Sequence, residues 1–189
     1  MSTAPDDPIL TQSLESWFTT NARDLPWRTK ARDPYRSLVS ELMLQQTQVS
    51  RVIEKFEPFL GRFPTVHDLA KAPEDDVLAA WAGLGYYRRA RLLHACAKAI
   101  VEHHGGVVPN SLDELLELPG IGRYTAGAIA SMVFHQRAPI VDGNVIRVLL
   151  RVHNQPIPQT DKATIAWAWE RSAKLVHTCE DPAIFNESM

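Results

Sequence analysis

Apolar side chains recur at helical spacing in nearly every segment of this 189-residue chain. In the first such segment, Ile9–Thr20, the apolar residues that would share one helix face are Ile9, Leu10, Leu14, Trp17 and Phe18. Proline and glycine interrupt the pattern at short intervals, and no segment shows the strict alternation typical of a strand. The pattern predicts an all-α fold of about ten helices with short connections.

The predicted helix boundaries place the polar motifs described below. The spacing predicts one helix from Tyr35 to about Gln46 and a long one from Tyr86 to His104, where two glycines follow. A later helix is predicted over Gly122–His135, and another begins at Asp142.

Cysteine and histidine content limits the metal chemistry that the chain can perform. The two cysteines, Cys96 and Cys179, cannot build a disulfide framework and suit a reducing compartment. Two cysteines alone also cannot hold a structural zinc ion or an iron–sulfur cluster. The seven histidines show no metal-ligand spacing, so we expect no metal site.

The distribution of apolar residues argues against export and against a membrane span. Met1–Pro8 carries two aspartates and no apolar core, so it does not read as a signal peptide. The apolar stretch Ala126–Phe134 is far shorter than the ~20 residues that cross a bilayer. We therefore expect a soluble cytoplasmic protein without membrane association.

The net charge of −2 hides an uneven distribution of charged side chains. Arg23–Arg36, Tyr86–His94 and Gly120–Gln155 each sum to +3, which leaves −11 for the remaining residues. A basic face on an acidic protein is therefore possible, and such a face suits a nucleic-acid backbone.

The segment Leu118–Gly127 is the most distinctive motif. Two short helices joined by its Pro-Gly-x-Gly turn would direct backbone N–H groups outward, and a turn that leads into a helix N-terminus suits a phosphate. The alternative is a plain corner between two helices, in which glycine only permits the tight turn.

Two carboxylates, Glu41 and Asp142, are candidates for acid catalysis. Glu41 interrupts an otherwise apolar helix, where burial would raise the pKa of its carboxyl group and keep a proton available; the alternative is a solvated surface glutamate. Asp142 stands at a helix start, where it would act as an N-cap and remain ionised. One proton donor and one anion suit cleavage of a bond at a sugar carbon.

Two short polar and aromatic segments are candidates for DNA contact. Gln45–Gln48 and Gly85–Tyr87 offer amide and aromatic side chains that could enter a base stack when a nucleotide is extruded. Their alternative roles are a helix end and a turn with aromatic packing.

Taken together, the motifs resemble those of the MutY-type adenine DNA glycosylases, members of the helix-hairpin-helix base-excision superfamily. Beside the hairpin, the segments that carry the resemblance are Leu25–Arg28, Ser40–Val49, Gly83–Tyr87 and Val141–Val145. The resemblance covers nearly the whole chain. It implies excision of adenine mispaired with 8-oxoguanine (or guanine) in duplex DNA, by a monomer.

The resemblance also implies a role for each catalytic candidate. Glu41 would protonate adenine N7, and Asp142 would stabilise the cationic sugar. Tyr124 would line the reacting centre, and Asn144 would help to place the acid and the water.

The residues that would bind DNA in such an enzyme lie in several motifs. Gln46 and Tyr86 would intercalate near the lesion, and Arg28 would act near the flipped adenine. The full set of expected DNA contacts is Arg28, Gln45, Gln46, Thr47, Tyr86, Arg88, Gly120, Gly122 and Arg123.

Residue 124 separates this resemblance from the related endonuclease III branch. That branch has a lysine at this position, whose amine forms a Schiff base with the sugar, whereas this chain has Tyr124. We therefore expect a monofunctional glycosylase without strand cleavage. The alternatives are an endonuclease III-like glycosylase/lyase and a catalytically silent DNA-binding helix-hairpin-helix fragment.

The resemblance carries expectations about domains and cofactors as well. A six-helix barrel with the hairpin is expected over residues 23–136, and a second helical subdomain over 1–22 with 137–189. Members of the family continue into four cysteines that bind a [4Fe–4S] cluster and into a domain that reads 8-oxoguanine. This chain ends at Met189, before those cysteines, so we expect a truncated member without a cofactor and the cluster only in a longer form.

Overall fold

The computed structural model describes residues 6–189 and contains no strand in that range. Within these residues eleven helices occur: α1 (Asp7–Asn21), α2 (Pro34–Leu44), α3 (Val49–Arg62), α4 (Val66–Lys71), α5 (Glu74–Ala80), α6 (Arg88–His104), α7 (Leu112–Glu117), α8 (Arg123–Met132), α9 (Gly143–Val152), α10 (Lys162–Thr178) and α11 (Pro182–Ser188). The predicted all-α class is confirmed.

The chain divides into two compact units. The continuous unit, Asp24–Ile129, holds α2–α7 and most of α8, and the split unit joins the residues up to Arg23 with Ala130–Met189. The second boundary therefore falls inside α8, earlier than the 136/137 division expected from the sequence. After α8 the chain folds back on the last turn of the helix, since the Gln136 N–H donates to the Ala130 carbonyl oxygen at 3.0 Å.

Helix α6 packs against α2, α4 and α5 of the continuous unit. The core around these helices contains the fully buried rings of Phe56, Phe59 and Trp81, and the last two meet edge to face with centroids 5.9 Å apart. Burial of each such side chain contributes roughly 1.5–3 kcal/mol. Helix α2 packs on both α3 and α6, so it is a firmly held support for Glu41.

In the split unit, α1 is held by residues near the other end of the chain. The buried Glu15 carboxylate accepts hydrogen bonds from the N–H groups of Glu180 (3.3 Å) and Asp181 (2.7 Å), just before α11. Arg171 of α10 forms an ion pair with Asp7. These contacts determine which face of α1 points inward.

The buried face of α1 differs from the face predicted from the apolar spacing. Ile9 and Trp17 are 58% and 56% exposed, so their predicted place on the buried face is wrong. Leu10 is buried and Leu14 is partly buried, as predicted, but the polar Glu15 is buried as well. The hydrogen bonds that Glu15 accepts from the N–H groups of Glu180 and Asp181 turn this polar residue inward and move the buried face away from Ile9.

Three helices differ from their predicted bounds for one shared reason. Helix α2 ends at Leu44 rather than Gln46, α6 begins at Arg88 rather than Tyr86, and α8 ends at Met132 rather than His135. Gln46, Tyr86 and His135 have φ values of 54°, 47° and 52°. These left-handed conformations cannot continue a right-handed helix.

Among the described residues, no helix combines the length and the apolar character needed to cross a bilayer. The sequence predicts that Met1–Pro8 is not a signal peptide, and the first five residues of this segment lie outside the described range.

Candidate active site

Glu41 lies in α2, most of whose surface is covered by other parts of the continuous unit. Seven of the eleven residues of α2 are buried, including Leu38 and Leu42 on either side of Glu41 along the helix. Glu41 itself is half-buried. A carboxyl group that is partly screened by apolar neighbours and yet reachable is well placed to transfer a proton to a bound base.

Two segments that follow α2 and α5, here called the wedge segments, are Gln45–Gln48 and Gly83–Tyr87. Each contains one exposed residue other than glycine in a left-handed conformation, namely Gln46 in the first and Tyr86 in the second. Such a conformation costs of order 1–3 kcal/mol for a residue other than glycine and persists where the surroundings impose it. The two wedge segments therefore hold a strained backbone at an exposed position, an arrangement that is typical of functional sites.

The side chains of the first wedge segment do not all share one environment. Gln46 is exposed, whereas Gln45 is half-buried and its Nε2 lies 3.4 Å from the Thr125 Oγ1 of α8. Thr47 is half-buried and accepts a hydrogen bond from Arg89. Gln46 is thus the residue of this segment that is presented outward, and Gln45 and Thr47 connect the segment to the rest of the unit.

Arg89 is a residue that the sequence analysis missed. It is 7% exposed and its guanidinium group donates hydrogen bonds to both wedge segments, whereas its neighbour Arg88, predicted to bind DNA, is exposed. The sequence does contain a signal, because Arg89 lies on the same helical stripe as the buried Leu93 and Ile100.

The predicted hairpin is present as α7, a turn, and α8. In the turn the Ile121 N–H donates to the Leu118 carbonyl oxygen at 3.1 Å, and Gly122, Arg123 and Gly120 are exposed. The N-terminus of α8 is therefore exposed, and the phosphate site that the hairpin motif indicates there stays a prediction.

The two hairpin glycines have different structural roles. Gly120 has φ +80°, and a Cβ atom there would lie 2.7 Å from Leu92 Cβ, so the fold itself requires glycine. Gly122 has no atom within 4 Å of the position of an added Cβ and no positive φ. Since the fold leaves room for a side chain at Gly122, the corner alone does not account for glycine there.

Tyr124 and Arg28 also belong to the continuous unit. Tyr124 is half-buried in the first turn of α8. Arg28 is half-buried, and its backbone N–H donates to the Leu25 carbonyl oxygen at 2.8 Å.

Asp142 caps α9, as predicted. Its Oδ1 accepts hydrogen bonds from the backbone N–H groups of Asn144 and Val145, both at 2.8 Å, and its Oδ2 accepts one from Asn144 Nδ2 at 3.1 Å. Three N–H donors therefore fix the orientation of this half-buried carboxyl group.

Two further residues that the sequence analysis did not single out support this cap. Arg147 donates to the side-chain oxygen of Asn144, and Gln159 donates to the carbonyl oxygen of Gly143. Because Asn144 is held by Arg147 on one side and bonds Asp142 on the other, it orients the carboxylate.

The predicted site residues are thus distributed over both units. The continuous unit carries Glu41, Tyr124 and all of the expected DNA contacts, and the split unit carries Asp142 and Asn144. Within the continuous unit, Arg89 brings the two wedge segments together. The Gln45 side chain connects the first of them to α8, one residue from Tyr124.

The cysteines of the chain do not fit the iron–sulfur cluster that the resemblance associates with longer family members. Such a cluster needs four thiolates, whereas Cys96 and Cys179 are the two cysteines of the sequence and lie in different units. Burial raises the pKa of the Cys96 thiol to about 12 and that of Cys179 to about 11, so both disfavour the thiolate form that metals bind.

Comparison with known proteins gives concordant matches. Residues 39–174 match the family model of the HhH-GPD superfamily base excision DNA repair proteins. The human protein named adenine DNA glycosylase is 44% identical over 184 residues, which is 93% of this chain and 34% of that protein. The protein of that name from Mycobacterium tuberculosis (strain ATCC 25618 / H37Rv) is 46% identical over 144 residues, 76% of this chain and 47% of the relative. The chain thus spans about a third to a half of the length of these curated relatives.

Two solved structures share this fold over nearly the whole chain. A thermostable thymine-DNA glycosylase is 26% identical with a TM-score of 0.81, over 96% of this chain and 84% of that one. An endonuclease III trapped as a covalent DNA intermediate has a TM-score of 0.80 at 23% identity, over 100% of this chain and 85% of that one, and it supports the fold alone. The resemblance inferred from the motifs is confirmed, and the chain belongs to the HhH-GPD superfamily of base excision DNA repair proteins.

Proposed function

We propose that this chain is the catalytic part of an adenine DNA glycosylase. It would hydrolyse the N-glycosidic bond of adenine mispaired with 8-oxoguanine or guanine in duplex DNA, as a monomer and without cutting the strand. The observation that carries the proposal is the 39–48% identity to proteins named adenine DNA glycosylase from animals, a plant and bacteria. The half-buried position of Glu41 on α2 and the three N–H groups that bond Asp142 each support it.

In the proposed reaction the two carboxyl groups have complementary roles. Glu41 donates a proton to N7 of adenine, the bond between the base nitrogen and the sugar C1′ breaks, and its electron pair leaves with the neutral base. The sugar becomes an oxocarbenium-like cation, which the Asp142 carboxylate stabilises. Water then attacks C1′ and gives its proton to the Glu41 carboxylate, which restores the acid, with Asn144 helping to place the water and Tyr124 lining the centre.

Access to the base requires the adenine to leave the duplex. The exposed side chains of Gln46 and Tyr86 would enter the base stack and fill the space that the extruded nucleotide leaves. Arg28 would lie near the flipped adenine. The solved endonuclease III neighbours are complexes with DNA, which supports DNA as the partner of this fold.

The DNA backbone would be held by the hairpin and by exposed arginines. Gly122 leaves the N-terminus of α8 open, so a phosphate oxygen can approach its backbone N–H groups. Arg123 and Arg88 are both exposed and add positive charge that attracts phosphate.

Replacing Gly122 by aspartate tests the phosphate site. Aspartate is a good N-cap, so we expect unchanged thermal stability. Its charge would occupy the anion position, and we expect duplex affinity to fall by about tenfold with a log K versus log salt slope smaller by about one. Fluorescence anisotropy at several salt concentrations measures both quantities.

Gly61→Asp is the matched control, because Gly61 is an exposed glycine of the same unit that also has open space around an added Cβ. It adds the same charge away from the hairpin and is expected to leave affinity within about twofold of the parent. Equal losses of affinity in the two variants would contradict a phosphate site at Gly122.

Single-turnover excision on a duplex with one adenine opposite 8-oxoguanine tests the proposed activity. Each reaction is divided between alkaline and untreated quenching, because an abasic site breaks only in alkali. We expect strand breaks in the alkaline samples alone, at a rate higher than with a duplex that pairs adenine with thymine.

Other outcomes point to the two alternatives. Breaks without alkali would indicate a lyase, which the tyrosine at position 124 disfavours because it offers no amine for a Schiff base. Salt-sensitive duplex binding by folded protein without any breaks would identify a catalytically silent binding module.

A further inference from the structure

We infer that Arg89 is the positioning residue for both wedge segments, holding Gln46 and Tyr86 in the left-handed conformations from which they would enter DNA. The contacts of Arg89 are observed in the structure, whereas the expected effect on adenine excision rests on the proposed function. Arg89 is itself buried, so it would act through these two residues without touching the DNA.

The guanidinium group of Arg89 bonds the backbone on both sides of a junction. Its Nη1 donates to the last turn of α2, at the carbonyl oxygens of Leu42 (2.8 Å) and Met43 (2.9 Å). Its Nη2 is within hydrogen-bond distance of Thr47 Oγ1 (2.9 Å) and of the carbonyl oxygens of Leu84 (3.1 Å) and Gly85 (3.4 Å). One side chain thus connects α2, the first wedge segment and the second.

The bonded atoms lie next to the two strained residues. Thr47 directly follows Gln46, and Gly85 directly precedes Tyr86. The Gly85 carbonyl oxygen also accepts a hydrogen bond from Trp81 Nε1 at 3.1 Å. An unfavourable φ persists only where neighbouring contacts impose it. These hydrogen bonds can therefore hold the φ angle of Gln46 at +54° and that of Tyr86 at +47°.

Aromatic contacts add to the hydrogen bonds at the second segment. The rings of Trp81 and Tyr86 both have their centroids 5.5 Å from the Arg89 Cζ atom, within cation–π range. Trp81 is fully buried, whereas Tyr86 is 63% exposed. The guanidinium group therefore connects a ring in the core to the ring that would enter the DNA.

The geometry requires arginine rather than another cation. A planar guanidinium group directs donors from two terminal nitrogens to separate acceptors, whereas lysine offers a single nitrogen. The stem of Arg89 is fixed by α6, whose neighbouring Ala90 and Leu93 are fully buried. The donors are consequently held at a constant position relative to the core.

The test compares Arg89→Met and the milder Arg89→Lys with Leu69→Ala, which removes a fully buried side chain of α4, a helix that includes neither wedge segment. All are assayed well below their unfolding temperatures. In Arg89→Met we expect faster amide hydrogen exchange at residues 45–48 and 83–87 and adenine excision slower by about 10²-fold, with Arg89→Lys intermediate. Leu69→Ala should leave both measurements near the parent values.

A double-mutant cycle separates positioning from general destabilisation. In a background of Gln46→Ala with Tyr86→Ala, adding Arg89→Met should slow excision by less than about twofold, because the residues it positions are already gone. A full 10²-fold further loss there, or unchanged exchange at the two segments in Arg89→Met, would overturn the inference. If the parent protein excises no adenine, the proposed function fails, while the exchange measurement still decides whether Arg89 holds the segments.

Discussion

Glu41→Gln is expected to lower single-turnover excision of adenine by about 10²–10⁴-fold, the range that general acid catalysis contributes. Glutamine keeps the shape of the side chain and its hydrogen-bonding capacity, but it has no acidic proton to give to the departing base. Without that proton, the base must leave as an anion. The excision rate with saturating enzyme and an 8-oxoguanine duplex measures the effect.

Binding and stability separate this effect from misfolding. Because the variant removes one negative charge, duplex affinity should be equal to that of the parent or higher. Glu54→Gln changes the same functional group on the exposed surface of α3 and should excise at the parent rate. If Glu41→Gln retained more than a tenth of the parent rate, Glu41 would not be the proton donor.

Asp142→Asn is expected to slow excision by about 10²–10³-fold with little change in thermal stability. Asparagine caps a helix about as well as aspartate, so its side-chain oxygen can still accept from the backbone N–H groups of Asn144 and Val145. The negative charge that would stabilise the cationic sugar is lost. Excision kinetics and thermal unfolding of the same preparations measure the two parts of this prediction.

The split unit offers a matched control in a second aspartate cap. Asp181 Oδ1 accepts hydrogen bonds from the N–H groups of Ala183 (2.7 Å) and Ile184 (3.3 Å) at the start of α11. Asp181→Asn therefore makes the same chemical change at a helix end without an assigned catalytic role, and it should excise normally. Equal loss of excision in the two variants would show that the effect does not come from the charge of Asp142.

The features that the sequence predicted well depend on contacts between near neighbours. The cap formed by Asp142 was predictable because its partners, Asn144 and Val145, follow it directly. The hairpin was predictable from Pro119, Gly120 and Gly122, since tight turns need specific residue types. The order of the helices likewise followed from their local periodicity.

The features that the sequence did not predict depend on distant contacts. Arg89 forms hydrogen bonds with residues of α2 and of the segment after it that precede it in the sequence by 42 to 47 positions. The spacing of neighbouring residues carries no information about such contacts. The same applies to Gln46 and Tyr86, whose side chains have no special preference for the left-handed conformation. Trp17 was misplaced because the hydrogen bond that the Asp181 N–H donates to the Glu15 carboxylate orients α1 in a way that its apolar spacing does not indicate.

The ties of α1 to Arg171 and Asp181 have a consequence for the folding of the nascent chain. About 150 residues separate the end of α1 from Arg171, so translation at ~5–20 residues per second leaves this helix without its partners for roughly 8 to 30 seconds. The continuous unit Asp24–Ile129 has no such wait, because all of its helices emerge in one uninterrupted stretch. We therefore expect α1 to be the segment most exposed to chaperones and proteases during synthesis. The exposed apolar side chains of Ile9 and Trp17 favour chaperone binding to this helix.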